Sequence, residues 1–221
     1  MSGGRRAVIV GSGANPAPEE LRAMVHPDDY LVAADGGADA LDAAGMAPDA
    51  VIGDMDSISP RLRETLEDGD GSIHFITHPA KKDSTDAQLA LEHVLGELPD
   101  GGEIALLGVF GNRVDHALGT VLLLAGLPAA VRRRVVLTDG AQFARTVEGT
   151  LELRGSPGDL VSLLPLTPRV EGVFLEGFSF PLCDGELRWG NTLGVSNHLA
   201  GPRGLIRVEG EGTLLAVHTP S

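Results

Sequence analysis

The apolar residues of this chain follow two rhythms, and the change between them falls near residue 138. Before it, short unbroken apolar runs end in glycine and acidic turns. Ala7–Val10 precedes Gly11-Ser-Gly13, Leu31–Ala34 precedes Asp35-Gly-Gly37, Ala50–Ile52 precedes Gly53-Asp-Met-Asp56, and Ile104–Val109 precedes Phe110-Gly-Asn-Arg-Val-Asp115. Runs without alternation suit strands of a parallel sheet covered on both faces. Between them, Ala87, Ala90/Leu91, Val94/Leu95 and Leu98 repeat at helical spacing, as do Ala117/Leu118, Val121/Leu122 and Ala125. Alternating strands and helices predict a three-layer α/β domain with a mainly parallel sheet.

Beyond residue 138 the helical spacing disappears. Short β-like runs recur between Gly and Pro: Thr150–Leu153, Leu160–Leu164, Val173–Phe180, Leu187–Trp189, Thr192–Val195, Leu205–Val208 and Thr213–Val217. This texture predicts an all-β, sandwich-like domain. The expected organisation is therefore an α/β domain over 1–138 and a β-sandwich domain over 139–221.

Composition narrows the function. The 221 residues carry 17 Lys+Arg against 31 Asp+Glu, a net charge of −14. That balance disfavours a nucleic-acid or anionic-membrane partner, because phosphate backbones require concentrated Lys and Arg. A single cysteine, Cys183, excludes an internal disulfide framework and fits a reducing compartment. Ala7–Val10 is too short for a secretory apolar region, and Val121–Val131 too short to span a bilayer. The expectation is a soluble cytoplasmic protein.

Ten of the 17 aspartates fall between Asp35 and Asp86, and the only two lysines, Lys81 and Lys82, lie in the same stretch. In an open α/β sheet, ligands bind beyond the carboxyl ends of the strands, which is where Asp35, Asp54, Asp56 and Asp115 fall. Residues i and i+2 of an extended segment point the same way, so Asp54 and Asp56 are spaced to share a hard cation such as Mg²⁺. A D-x-D also arises in ordinary turns. Lys81-Lys82-Asp83-Ser84-Thr85-Asp86 leads into the helix beginning near Ala87, with Asp83 or Ser84 as its cap. Capping does not account for two lysines beside a carboxylate-rich edge, whereas a polyanionic ligand does. In Gly111-Asn-Arg-Val-Asp-His116, Arg113 suits phosphate oxygens, and Asp115 suits a metal, a helix cap or a hydroxyl proton. His116 reads as a hydrogen-bonding partner. Arg132-Arg133-Arg134 reads as a solvated face after a helix end. The chain has no complete G-x-G-x-x-G, since Pro16 takes the last position, and no G-x-x-x-x-G-K-[ST], H-E-x-x-H or G-x-S-x-G.

Taken in order, Asp35-Gly-Gly37, Gly53-Asp-Met-Asp-Ser57, Lys82-Asp-Ser-Thr-Asp86, Gly111-Asn-Arg-Val-Asp-His116 and Gly194-Val-Ser-Asn197 resemble the thiamine pyrophosphokinase family. The resemblance implies transfer of the pyrophosphoryl group of ATP to thiamine with Mg²⁺, giving thiamine diphosphate and AMP. It also implies a homodimer with active sites at the subunit interface. Carried onto this sequence, Asp54, Asp56 and Asp86 are the expected metal ligands, and Arg113 and Asp115 join them in catalysis. Asp35, Lys82, Asp83, Thr85 and His116 are expected around ATP. Ser196, Asn197 and Trp189 are expected at thiamine; the residues alone favour β-domain core for Trp189, and the resemblance favours substrate binding over a strand-end turn for Ser196-Asn197. His198 stands where family members often have an acid, and Phe180 where Tyr is frequent. Rival readings are another Mg²⁺-dependent nucleotidyl- or pyrophosphoryl-transferase on the same carboxylates, and a non-catalytic sensor of thiamine diphosphate.

Overall fold

The computed structural model describes residues 4–67, 73–79, 83–99, 101–111 and 113–221, so Lys81, Lys82 and Asn112 lie outside the described residues. Chain contacts divide it into two units, Met1–Leu123 with Val136–Gly140, and Leu124–Val135 with Ala141–Ser221.

In the first unit, strands β1 (Ala7–Val10), β2 (Tyr30–Ala34), β3 (Ala50–Gly53), β4 (His74–Thr77), β5 (Ile104–Leu107) and β6 (Val135–Thr138) stand in the order β6-β5-β1-β2-β3-β4. The β5-β1-β2-β3-β4 ladders are all parallel. Every residue of β1, β3 and β5 is buried, as expected for strands covered on both faces. The chain steps outward from β1 to β4, then returns across the sheet to β5 on the opposite side of β1. Helices α1 (Pro18–Met24), α2 (Gly37–Ala43), α3 (Pro60–Glu67), α4 (Asp86–Glu97) and α5 (Val114–Gly126) fill the connections, while the short α6 (Ala129–Arg132) belongs to the second unit.

One face of the sheet buries Val8, Val10, Ala33 and Leu107 with Leu21 of α1 and Leu41 of α2. Helix α4 covers β1, β2 and β3 through Ala90, Leu91 and Val94, the stripe that its spacing predicts. Burial of Leu91 and Val94 is worth roughly 1.5–3 kcal/mol each.

Helix α5 departs from expectation. Leu118 and Leu122, assigned to a buried stripe by spacing, are 59% and 70% exposed, and Val114 is exposed beside them. The helix is apolar almost all round, so periodicity does not select a face; Thr120 and Leu124 are the positions it buries.

The second unit pairs two antiparallel sheets. One has the order β12-β9-β14-β7, from β7 (Phe143–Val147), β9 (Leu160–Pro165), β12 (Asn197–His198) and β14 (Leu214–Thr219). The other, β11-β10-β13-β8, comprises β8 (Thr150–Arg154), β10 (Arg169–Glu176), β11 (Leu182–Arg188) and β13 (Arg203–Val208). Val161, Leu163, Leu214 and Ala216 of the first sheet meet Val170, Val173, Leu175 and Ile206 of the second in one core, a sandwich. The run Thr192–Val195 forms no strand, and the two-residue β12 follows it. Arg132 is no solvated face: its guanidinium donates to the carbonyls of Ala125 and Leu127 and pairs with Glu148.

A buried polar knot closes this unit. Asp159 accepts hydrogen bonds from the Ser156 N–H, from the N–H and hydroxyl of Ser221, and shares one with the His218 ring at 2.9 Å. The two backbone N–H groups, then the imidazole, hold its carboxyl well below the usual carboxylate range. A depressed folded-state pKa contributes stability that is complete above the unfolded Asp value of about 3.9 and is lost as pH falls below it. Asp159→Asn is therefore expected to lower the Tm by roughly 10 °C at neutral pH. It should also flatten the decline of Tm below about pH 4, and calorimetry across that range checks both.

Candidate functional site

The strand ends of the first unit open into a cleft of about 670 Å³. Its walls come from the β1–α1 loop (Gly11, Ser12, Gly13, Ala14), the ends of β2 and β3 (Asp35, Asp54, Asp56, Ser57), and the start of α4 (Ser84, Thr85, Asp86, Ala87). The β5–α5 segment completes them with Gly108, Val109, Phe110, Gly111, Arg113, His116 and Thr120.

At its acidic end, Asp35, Asp54 and Asp56 each offer an oxygen within 4.8 Å of the others. Their convergence comes from backbone turns. Asp35 leaves β2 at φ 48°, its N–H on the Ile52 carbonyl at 2.8 Å. Met55 sits at φ 64° between Asp54 and Asp56, with its side chain buried. Asp54 and Asp56 are thus brought together by a bend through a left-handed Met55, not by the two-residue alternation of an extended strand. Asp54 Oδ1 accepts the Asp56 N–H at 3.3 Å, and Ser57 donates its hydroxyl to Asp56 at 3.0 Å.

Asp35 is 5% exposed, and its Oδ1 is buried without a hydrogen-bond partner. Burial raises its pKa, the nearby Asp86 and Asp54 charges add to that rise, and hydrogen bonding from Ser57 opposes it. Asp86 borders the same group, its Oδ1 3.0 Å from where a Cβ on Gly53 would stand. The tight set therefore contains Asp35, which the sequence reading assigned to ATP, while Asp86 lines the cleft alongside.

Helix α4 begins one residue earlier than the sequence suggests, and neither Asp83 nor Ser84 is its cap. Thr85 is, its hydroxyl accepting the Gln88 N–H at 3.3 Å. Asp83 is exposed and is not among the residues that line the cleft. Ser84, Thr85 and Asp86 thus bring the N-terminal turn of a 12-residue helix to the cleft wall.

Arg113 and His116 reach the cleft, but Asp115 does not line it. Arg113 donates Nε to one oxygen of Asp115 at 2.9 Å and a terminal nitrogen to the other at 2.6 Å, both residues being exposed. This fork pulls the Asp115 pKa down to about 2. A carboxylate held so is a poor proton acceptor near neutral pH, and it stands as the orienting partner of Arg113.

The second unit carries the remaining candidates. Asn197 is buried, with three hydrogen bonds to backbone: Oδ1 accepts the N–H groups of Phe180 and His198 at 3.0 and 2.8 Å, and Nδ2 donates to the Phe180 carbonyl at 2.7 Å. It acts on the backbone that presents the exposed Phe180 side chain. Ser196 is exposed at φ 62°, with its N–H on Ser162 Oγ. Trp189 is 61% exposed, its indole N–H on the Pro165 carbonyl, which overturns the reading of it as β-domain core. Sequence reasoning passed over Ser12, Gly13, Ser57, Phe110 and Thr120 as site residues, although Gly11-Ser-Gly13 at the end of an apolar run was a readable pointer.

Carboxylates massed over the strand ends of an α/β unit, followed along the chain by a β-sandwich, define a two-part protein with a candidate cation site in its first part. Residues 21–137 match the catalytic domain of thiamin pyrophosphokinase, and residues 149–212 match its vitamin B1 binding domain. The chain is 30% identical over 199 residues to a thiamine pyrophosphokinase of Bacillus subtilis, covering 89% of this chain and 90% of that protein. The crystal structure of thiamine pyrophosphokinase from Bacillus subtilis superposes with a TM-score of 0.85 at 26% identity, over 98% of this chain and all of that one. That of Geobacillus thermodenitrificans gives 0.81 at 27%, over 98% of each chain. This chain belongs to the thiamin pyrophosphokinase family, a family of diphosphotransferases.

Proposed function

We propose that the protein transfers the pyrophosphoryl group of ATP to the hydroxyl of thiamine, forming thiamine diphosphate and AMP. The observation that carries this reading is the Asp35, Asp54 and Asp56 trio at the rim of a cleft in the catalytic-domain match. Three hard oxygen donors with a buried, unpartnered Asp35 Oδ1 fit Mg²⁺. When bound, that ion supplies charge neutralisation for the triphosphate. Asp35, Asp54 and Asp56 would hold it, with Asp86 beside them.

The chain's own residues do the rest by placement. The thiamine oxygen attacks the β-phosphorus, the bond from that phosphorus to the oxygen bridging it to the α-phosphorus breaks, and this oxygen leaves with AMP. Arg113, aimed by Asp115, and the N-terminal turn of α4 at Ser84 and Thr85 offer donors to phosphate oxygens, with Lys82 close by in the sequence. His116 lies on the cleft wall for the nucleotide. The hydroxyl proton passes to solvent or to a carboxylate of the cleft, and the Arg113 fork makes Asp115 the weakest base among them.

Thiamine recognition falls to the second unit, supported by the vitamin B1 binding match over 149–212. Ser196 and the exposed faces of Trp189 and Phe180 offer a hydroxyl and aromatic surface to a cationic thiazolium, with Asn197 fixing the Phe180 backbone. We assign catalysis to 1–138 and thiamine binding to 139–221, in a homodimer with the active site at the subunit interface. The exposed Val114, Leu118 and Leu122 stripe on α5, beside cleft residues His116 and Thr120, supports such a contact. Among the described residues no helix is long and apolar enough to cross a membrane. The lone Cys183 supports a cytoplasmic location.

Incubation with ATP, Mg²⁺ and thiamine, followed by chromatography, is expected to show AMP and thiamine diphosphate in equal amounts. Free pyrophosphate would indicate nucleotidyl transfer instead, and no turnover by a protein that binds added thiamine diphosphate would indicate a sensor.

A further inference from the structure

We propose that Ser57 is the positioning residue of the acid trio: it joins Asp35 on one loop to Asp56 on the next, and so sets their spacing in advance of any cation. This rests on the transferase reading above. The difficulty it meets is electrostatic. Three carboxylates with oxygens within 4.8 Å of one another repel until a cation neutralises them. Burial holds Asp35 in place, but Asp56 is exposed on a loop, where repulsion would turn its side chain out to solvent.

Ser57 stands between the two. Its hydroxyl donates to Asp56 Oδ1 at 3.0 Å, and its side chain and backbone N–H also hydrogen-bond to the Asp35 carboxylate. A hydroxyl carries one hydrogen and serves one carboxylate at a time. The backbone N–H therefore keeps hold of Asp35 while the hydroxyl serves Asp56, and Asp35 Oδ1 stays buried without a partner.

The place of Ser57 is itself fixed. Met55 and Ile58 are 4% and 5% exposed in one core cluster, so the loop is pinned two residues before Ser57 and one after it. The Ser59 N–H donates to Asp39 Oδ2 of α2 at 3.0 Å. Gly36 lets the turn after β2 close on this loop, since a Cβ there would stand 3.2 Å from the Ser57 carbonyl oxygen and 3.3 Å from its Cβ. Ser57 is thus the contact through which the β2–α2 turn and the β3–α3 loop hold their carboxylates at a common spacing.

Mn²⁺ titration of the full chain without nucleotide, followed by electron paramagnetic resonance, tests this. Ser57→Ala is expected to weaken Mn²⁺ roughly tenfold, as removal of a group that orients a metal ligand does. Ser57→Thr keeps the hydroxyl and should stay within about twofold of the wild type. Because Ser57 is exposed, both variants should melt within about 2 °C of the wild type. In steady state, Ser57→Ala should raise the free Mg²⁺ for half-maximal rate about tenfold, while saturating Mg²⁺ restores kcat and the thiamine KM stays put. Unchanged Mn²⁺ affinity in Ser57→Ala, an equal loss in Ser57→Thr, or a kcat that saturating Mg²⁺ does not restore would overturn the assignment. Wild-type protein that binds Mn²⁺ only with a non-hydrolysable ATP analogue present would overturn the preset spacing and leave the transferase reading standing. Binding under neither condition removes both.

Discussion

Asp54→Asn and Asp56→Asn are each expected to lower kcat by roughly a thousandfold, with the fold intact. Both carboxylates converge with Asp35 within 4.8 Å, so one lost charge weakens the whole ligand set. Stability should move the other way. Burial is the main cause that raises the Asp35 pKa, and the Asp86 and Asp54 charges add to it, the mark of a group whose ionised form the fold tolerates at a cost. Removing the Asp54 charge relieves that repulsion, so the Tm of Asp54→Asn should equal or slightly exceed that of the wild type. An inactive variant with a lowered Tm would mean that Asp54 is structural. Steady-state kinetics and calorimetry on the same preparation separate the outcomes.

Gly37→Ala is expected to cost roughly 3–5 kcal/mol of stability, close to the largest effect a single methyl produces. The helix α2 begins at Gly37 directly against β1, and a Cβ there would stand 1.8 Å from the Val10 carbonyl oxygen. That oxygen belongs to rigid backbone at the end of a central strand, so neither side can yield without displacing α2 or β1. Asp35 lies two residues before Gly37, and its carbonyl accepts the Ala38 N–H, so a shifted α2 also disturbs the acid trio. The variant should therefore lose both Tm and activity, unlike Asp54→Asn. A Gly37→Ala protein that melts like the wild type would contradict the close approach of α2 to the Val10 carbonyl.

The second glycine of Asp35-Gly-Gly37 thus has a packing cause, which a motif alone does not reveal. Much of the first unit was legible because short apolar runs ending in Gly and Asp have few other meanings. The strands β1, β2, β3 and β5 lie where those runs stand, and the α4 stripe buries Ala90, Leu91 and Val94. Strand β4 was missed, since three of its four residues, His74, Phe75 and Thr77, are exposed at the sheet edge and carry no buried pattern. The α5 stripe misled because a helix apolar on every side has no preferred phase.

At the site, the acidic residues were identifiable, but their grouping was not. Bringing Asp35 into the trio depends on left-handed backbone at Asp35 and Met55, and nothing in the local composition announces a positive φ at either non-glycine position. The same limit hid the commitments of individual side chains. Asn197 offers an amide that suits a substrate, yet all three of its hydrogen bonds go to backbone. Asp115 occupies a catalytic-looking place in Gly111-Asn-Arg-Val-Asp-His116, but Arg113, two residues away, claims both of its oxygens. Arg113 precedes α5 and Asp115 stands in its first turn, so this pairing across two residues depends on how the chain turns into the helix, which local sequence does not display.

The central claim, that Asp35, Asp54 and Asp56 act as one divalent-cation site, is tested most directly by Mn²⁺ binding followed by electron paramagnetic resonance. In the presence of a non-hydrolysable ATP analogue, the wild type is expected to hold Mn²⁺ that Asp54→Asn, Asp56→Asn and Asp35→Asn each release at the same free-metal concentration. Equal Mn²⁺ occupancy in the wild type and all three variants would contradict the account.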